Sequence, residues 1–98
     1  MFNRLTKKEK SQDKVQHAIT CIAERKFESA FKFLGKALTL DPNNKNAIFL
    51  RGYCHYLLQN YQSAVLDFGK VIKLDPDYFN AYFYLGEIYQ KYQQYEDP

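Results

Sequence analysis

The stretch LDPNNKNAIFLRG at residues 40–52 decides the fold, because a related stretch, LDPDYFNAYFYLG, follows at residues 74–86. An Asp-Pro pair ends a helix, since proline disfavours the helical conformation in the residue before it. Asparagine is a common residue at the start of the next helix, and Asn43 or Asn44 is the candidate N-cap here. Each copy therefore predicts a helix end, a short turn and a new helix.

The offset that relates Leu40 to Leu74 also relates positions on both sides of this stretch. Between the turns, apolar residues have the spacing of amphipathic helices, and Asn60 supplies a short break between two of them. Identity at one offset over most of a chain is the mark of a repeat architecture. The identical pairs are Ser29-Ala30 with Ser63-Ala64, Gly35-Lys36 with Gly69-Lys70, Leu40-Asp41-Pro42 with Leu74-Asp75-Pro76, Asn46-Ala47 with Asn80-Ala81, and Phe49, Gly52, Gln59 and Tyr61 with Phe83, Gly86, Gln93 and Tyr95.

With this pattern, the chain resembles the tetratricopeptide repeat family over residues 11–98. In that family, small residues let paired helices approach closely and large residues fill the space between them. His17 and Arg51, each in the first helix of its pair, depart from the pattern, because the family usually has a large apolar residue there. The matching positions are Ala18, Gly52 and Gly86; Ala30 and Ala64; Phe27, Tyr61 and Tyr95; Leu34 and Phe68; Ala37 and Val71; and Pro42 and Pro76.

The resemblance implies an all-α fold in which antiparallel helical hairpins stack as a short right-handed superhelical solenoid. We expect a basic N-terminal arm at 1–10, complete repeats at 11–44 and 45–78, and a partial repeat or capping helix at 79–98. Ser11 is a candidate N-cap for the first helix. The implied function is non-enzymatic protein–protein interaction, as an adaptor or scaffold.

Composition excludes several other classes. A chain of 98 residues allows one small domain, and 46% hydrophobic residues are too many for a disordered chain. The net charge of +3 is a mild excess that lies in the N-terminal arm. No apolar run is long enough for a membrane span, and two cysteines make no disulfide framework. These features predict an intracellular, reducing and cytoplasmic location.

Catalytic and metal-binding motifs are absent from the sequence. It has no glycine-rich phosphate loop and no nucleophile elbow. His17, Cys21, Cys54 and His55 could approach one another across a helix pair and bind zinc. The side chains of adjacent helical residues, here Cys54 and His55, point roughly 100° apart, however, so they are poorly placed to bind the same ion. Asp67 and Glu87 are isolated carboxylates, which we expect to be solvated. We therefore predict no catalytic residue, no metal and no cofactor.

A concave groove is the site that the resemblance implies, lined by the first helix of each pair. It would hold an extended peptide or an amphipathic helix of a partner protein. The alternative is that some of the aromatic residues of this set pack against one another or against the basic arm. The candidate groove residues are Asn46, Phe49, Tyr53, Tyr56, Asn80, Phe83, Glu87 and Lys91, with Gln12, Val15, Ile19 and Gln90 at neighbouring positions.

Two other ligand classes are less compatible with this groove. Some tetratricopeptide domains bind the C-terminal carboxylate of chaperones through lysine, arginine and asparagine side chains. The corresponding positions of this chain do not match, so a carboxylate would lack charged partners there. These positions hold Val15, Ile19, Leu50, Asn80 and Tyr84. Single-stranded RNA stays as an alternative through aromatic stacking. Lys91 is the one cation expected in the groove, however, and a strand of phosphates needs more than one, so nucleic acid is disfavoured.

The last helix, expected at 79–95, is rich in tyrosine and has no following helix to cover it. Tyrosine tolerates partial exposure, because its ring is apolar and its hydroxyl is hydrated. We therefore expect either self-association through Leu85, Tyr89 and Tyr92, giving a homo-oligomer or a larger complex, or a structural fragment of a longer solenoid.

Overall fold

The computed structural model describes the backbone of residues 4–96 and the side chains up to residue 94, so the predicted match at Tyr95 lies outside the described side chains. Within this range the chain forms α-helices and no strand, which confirms the all-α prediction. None of these helices combines the length and the apolar character that crossing a bilayer requires. The helices are α1 (Lys7–Ala23), α2 (Phe27–Leu40), α3 (Lys45–Leu57), α4 (Tyr61–Leu74) and α5 (Phe79–Glu96).

Helix α1 begins before the predicted position, so the prediction that Ser11 is its N-cap is wrong. Thr6 is the N-cap, and its hydroxyl accepts a hydrogen bond from the backbone amide of Glu9 at 3.1 Å. In return, the Glu9 carboxylate accepts a hydrogen bond from the Thr6 amide at 2.9 Å. This reciprocal capping box satisfies amides that the first turn leaves unpaired, and it lowers the pKa of Glu9 through the bonds to Thr6. Residues 7–10 of the predicted arm therefore belong to α1.

Ser11 is instead a buried link between α1, α2 and α3. Its hydroxyl donates to the carbonyl of Ala37 at 2.7 Å and accepts from the side-chain amide of Asn44 at 2.9 Å. Asn44 also accepts from the backbone amide of Ala47 at 3.1 Å, which confirms Asn44 as the N-cap of α3. One small polar network thus fixes the first hairpin to the start of the second.

The turns inside the two hairpins have the same geometry. Arg25 and Gln59 occupy equivalent positions of the repeat, and both have positive φ angles, of 59° and 64°. In the first turn the amide of Lys26 donates to the carbonyl of Cys21 at 2.8 Å, and the equivalent bond in the second turn has the same length. This is the left-handed helix ending that lets a chain reverse tightly. The sequence repeat is therefore also a repeat of backbone conformation.

The buried core is a seam between the helices, in which small residues occupy the close approaches. A Cβ atom at Gly52 would lie only 2.9 Å from Cε1 of Phe68, so α3 and α4 could not pack this closely around any larger residue. The first hairpin solves the same problem with Ala18 and Leu34, both fully buried. The core residues are Val15, Ala18, Ala30, Leu34, Ala37, Ala47 and Cys54 around the first hairpin, and Ile48, Phe49, Ala64, Phe68, Val71, Ala81 and Ile88 around the second.

The two residues that depart from the repeat pattern, His17 and Arg51, make different contacts. His17 stacks on Phe33, with ring centroids 5.1 Å apart. Arg51 donates two hydrogen bonds to the Asp67 carboxylate, at 2.9 and 2.8 Å. The expectation that Asp67 is solvated is therefore wrong: it is only 5% exposed, and the bonds from Arg51 compensate for its burial. These bonds also raise the pKa of the Arg51 guanidinium.

Candidate functional site

A cavity of about 320 Å³ lies between the first helices of the two complete hairpins, α1 and α3. From the predicted groove set, Asn46 and Phe49 line it, together with the neighbouring positions Gln12, Val15 and Ile19. Ile19 is 42% exposed, so an apolar side chain is accessible at the cavity's surface. The complete lining is Gln12, Val15, Gln16, Ile19, Asn46, Phe49, Leu50 and Tyr78.

Tyr78 is a cavity residue that the sequence reasoning missed. It lies in the turn before α5, and its hydroxyl donates to the side-chain oxygen of Asn46 at 2.9 Å. Its ring contacts Phe49 with a centroid distance of 5.2 Å. Burial, followed by the charge of Asp75, raises the pKa of Tyr78. The available signal was the break in the repeat: Tyr78 stands one repeat after Asn44, where an aromatic replaces a helix cap.

The predicted aromatic residues of α3 pack around Tyr84 of α5. Tyr84 lies 5.3 Å from Tyr53, 5.1 Å from Tyr56 and 6.0 Å from Phe49, measured between ring centroids. Phe49 also contacts Phe68 at 5.5 Å and is only 9% exposed. Phe49, Tyr53 and Tyr56 therefore all contact Tyr84 in the junction of α3 and α5, as the self-packing alternative describes. Burial is the main reason why the pKa of Tyr84 is raised.

The other predicted groove residues lie on α5 and do not line the α1–α3 cavity. Asn80 is exposed in a shallow depression at the start of the helix. Phe83 is 59% exposed and meets Tyr84 edge-on at 5.1 Å. Glu87 and Lys91 are half-buried farther along. The structure therefore divides the predicted groove among the cavity at α1–α3, the aromatic junction of α3 and α5, and a more open surface on α5.

The predicted self-association residues differ in their exposure. Tyr89 is 58% exposed, whereas Leu85 and Tyr92 are half-buried. Tyr92 packs edge-to-face on Tyr61 of α4, with centroids 6.2 Å apart. Tyr89 is thus the accessible member of the three.

The His and Cys residues have separate surroundings. Among the described residues, no group of three His, Cys, Asp or Glu side chains could hold a metal ion. His55 lies against Phe31 at 4.8 Å, and its buried Nδ1 has no hydrogen-bond partner. Burial lowers the pKa of His55 and raises the pKa of the Cys54 thiol to about 11. A thiol with so high a pKa stays protonated at neutral pH and is a poor nucleophile.

Comparison with known families gives two matches that agree with the two-hairpin geometry. A tetratricopeptide repeat model matches residues 15–44, from the middle of α1 to the turn after α2. A second model, described as TPR repeat, matches residues 52–93, from α3 into α5. A comparison with curated proteins finds no match. Since the two family matches together cover most of the chain and the helices pair as the repeat requires, the chain belongs to the tetratricopeptide repeat family, whose repeats generally mediate protein–protein interaction.

Proposed function

We propose that this chain is a non-enzymatic adaptor or scaffold that binds a short segment of a partner protein in the cavity between α1 and α3. The observation that carries the proposal is the uncharged, mixed lining of this cavity. Apolar side chains and hydrogen-bonding amide or hydroxyl side chains are equally represented. The apolar ones are Val15, Ile19, Phe49 and Leu50, and the polar ones are Gln12, Gln16, Asn46 and Tyr78.

Such a lining suits an extended peptide with apolar side chains. The peptide's backbone N–H and C=O groups need partners when they leave water, and glutamine and asparagine offer both donors and acceptors. The volume of about 320 Å³ is at the lower end for ligand pockets. The cavity therefore has room for a few residues, and affinity would come from extending the contact along the exposed Phe83 and the half-buried Glu87 and Lys91 of α5.

The charge of the cavity argues against the other ligand classes. None of the eight lining residues is a cation. A chain-terminal carboxylate or a phosphate would lose its hydration without gaining a charged hydrogen bond. A neutral, internal segment of a partner protein is thus favoured over a chaperone C-terminus or single-stranded RNA.

A peptide-display selection on the intact chain tests this proposal. Random peptides that bind the chain are isolated, and their affinity is then measured for two variants. Ile19→Glu places a carboxylate in the cavity lining, and we expect at least about tenfold weaker binding, since burying an unpaired charge is costly. Leu66→Glu is the matched control, because Leu66 is 69% exposed on α4 and does not line the cavity.

Circular dichroism of both variants should show unchanged helicity, because both side chains are exposed. The proposal is overturned if selection enriches no peptide. It is equally overturned if the selected peptides bind Ile19→Glu as tightly as the unmodified chain.

A further inference from the structure

Helix α5 has one covered face and one uncovered face. Ala81 and Ile88 on its inner face are fully buried against the second hairpin. On the outer face, Tyr82 is 45% exposed, Tyr89 is 58% exposed and Gly86 is exposed. The outer face is therefore an accessible surface made of two large aromatic side chains with a glycine between them.

The equivalent face of α3 shows what fits on such a surface. Ile48 and Gly52 precede Tyr82 and Gly86 by one repeat. Helix α4 covers them, so Ile48 is 4% exposed and Gly52 is buried. The ring of Phe68 fills the space over Gly52, where a Cβ would lie 2.9 Å from Cε1 of Phe68. Over Gly86, in contrast, a Cβ would meet no atom within 4 Å.

We propose that the outer face of α5, formed by Tyr82, Leu85, Gly86 and Tyr89, binds an amphipathic helix of a partner protein, which packs on α5 as α4 packs on α3. This surface is separate from the α1–α3 cavity, and the proposal does not depend on the function proposed for that cavity. In this arrangement the partner helix takes the place on α5 that α4 takes on α3.

The side chains of α5 define the chemistry of this helix. In the partner helix, the residue that packs over Gly86 is large and apolar, as Phe68 is over Gly52. The residue before it is also apolar, because Leu85 replaces Arg51 on α5. A carboxylate at the position of Asp67 would lose the two hydrogen bonds that Arg51 supplies in the second hairpin. A buried carboxylate without a partner is strongly unfavourable.

A second copy of the chain fits this face less well. Two α5 helices that cross at their glycines would set Gly86 opposite Gly86, with no side chain to fill the space between them. Tyr82 and Tyr89, which flank Gly86, are exposed, and at such a crossing we expect their rings to hold the two backbones apart and leave the gap unfilled. Unfilled space between helices forfeits packing energy. We therefore assign the face to a different helix rather than to a symmetric dimer.

The chain itself supplies a probe for the experiment. A fluorescently labelled synthetic peptide with the sequence of residues 60–76 and the change Asp67→Leu is titrated with the intact chain, and its anisotropy is measured. We expect saturable binding. The same peptide with aspartate retained should bind several-fold more weakly, because no arginine is available on α5.

Matched glycine variants locate the bound peptide. Gly86→Leu fills the space over the glycine, and we expect binding to weaken by about tenfold or more. Gly35→Leu is the control, since Gly35 lies on α2 and is likewise an exposed helical glycine at which an added Cβ would meet no atom within 4 Å. It should bind the peptide normally, and both variants should keep the helicity of the parent chain.

Three results would overturn the proposal: no saturable binding of the peptide, equal binding to the parent chain and to Gly86→Leu, or sedimentation of the chain alone as a dimer that Gly86→Leu dissociates. The last result would make a second copy the occupant, as the sequence-based prediction of self-association has it. The Ile19→Glu variant should bind this helical peptide normally, so failure here is distinguishable from failure of the cavity proposal.

Discussion

Helices α3 and α5 have equivalent sequences one repeat apart, but very different surroundings. Phe49 on α3 is 9% exposed, and its counterpart Phe83 on α5 is 59% exposed. Gly52 lies under the ring of Phe68, while the space over Gly86 is empty. The ring of Phe49 is covered by Phe68 of α4 and by Tyr78 and Tyr84 in and before α5. Gly52 is covered by α4, and no described helix takes either place on α5. Burial of a repeat position is therefore decided by the neighbouring helix rather than by the residue itself.

The inner faces of α3 and α5, in contrast, are buried to the same extent. Ala47 and Ala81 are equivalent and both fully buried, and the same holds for Cys54 and Ile88. Helix α5 is thus anchored as firmly as α3 on the side of the preceding hairpin. The outer side of α5, its end and the side that carries Phe83 are the parts that differ, so the expected effects of mutation are confined to those positions.

The largest contrast is expected for the two phenylalanines. Phe49→Ala removes a buried ring from the aromatic cluster and should lower the free energy of unfolding by about 3–5 kcal/mol. Phe83→Ala removes an exposed ring and should cost less than about 1 kcal/mol. Urea denaturation followed by circular dichroism measures both values. Similar losses for the two variants would show that α5 is covered in solution.

The next contrast concerns the ion pair on the outer face of α3. Arg51→Leu leaves the Asp67 carboxylate buried without a partner, and we expect a loss of about 3 kcal/mol, reduced somewhat because the Arg51 side chain is 31% exposed. The double variant Arg51→Leu/Asp67→Leu should recover most of this loss. Lys45→Ala is the control, because the Lys45–Asp75 pair is solvent-exposed and should contribute less than about 1 kcal/mol. Urea denaturation of the three variants measures these differences, and an equal loss in the single and double variants would contradict the role assigned to the pair.

The glycines should give effects of opposite sign. Gly52→Ala forces Phe68 to move, and overpacking of this kind costs about 1–3 kcal/mol. Gly86→Ala meets no atom, so the higher helix propensity of alanine should stabilise the chain by up to about 1 kcal/mol. Combining Gly52→Ala with Phe68→Leu reproduces the Ala18–Leu34 pair of the first hairpin and should recover part of the loss. Thermal denaturation of the parent chain and these variants decides whether the signs differ as expected.

The smallest expected effect is a dependence of stability on pH. Burial lowers the pKa of His55 below its ordinary value of 6.5, with Asp67 and Arg51 acting in opposite directions. The unfolded chain therefore takes up the proton first as the pH falls, and the free energy of unfolding should decrease below about pH 6.5. His55→Gln should reduce this decrease, whereas Tyr89→Gln, at the equivalent position of α5, should not. If the free energy of unfolding of His55→Gln fell as steeply with decreasing pH as that of the parent chain, the pH dependence would not come from His55.

The repeat made most of the fold predictable from the sequence. Asp-Pro at 41–42 and 75–76, the constant offset between the copies and the small residues at Ala18 and Gly52 were sufficient to predict paired helices. The start of α1 was missed because Ser11 resembles a cap, although Thr6 and Glu9 form the capping box. Local sequence cannot show that Ser11 is buried, since its partner Asn44 lies on the far side of the first hairpin.

The candidate site was only partly predictable for the same reason. The repeat pattern led to Asn46 and Phe49, which line the cavity. It did not lead to Tyr78, because that residue lies in a turn where the two repeats differ. Asp67 was misjudged because its partner Arg51 is on another helix, and pairing between helices is set by their packing. Features that recur in both copies of the repeat were recovered, whereas the capping box of α1 and side-chain pairs between helices, such as Arg51 with Asp67, were not.

Hydrogen exchange of the intact chain tests the central claim most directly. The backbone amides around Gly52 in α3 should exchange only on global unfolding, and those around Gly86 in α5 should exchange faster, because packed elements open at higher free energy than uncovered ones. Adding the peptide of residues 60–76 with Asp67→Leu should slow exchange in α5, because opening of α5 releases the bound peptide. Equal protection of the two helices without the peptide, or no change in α5 when it is added, would contradict the account.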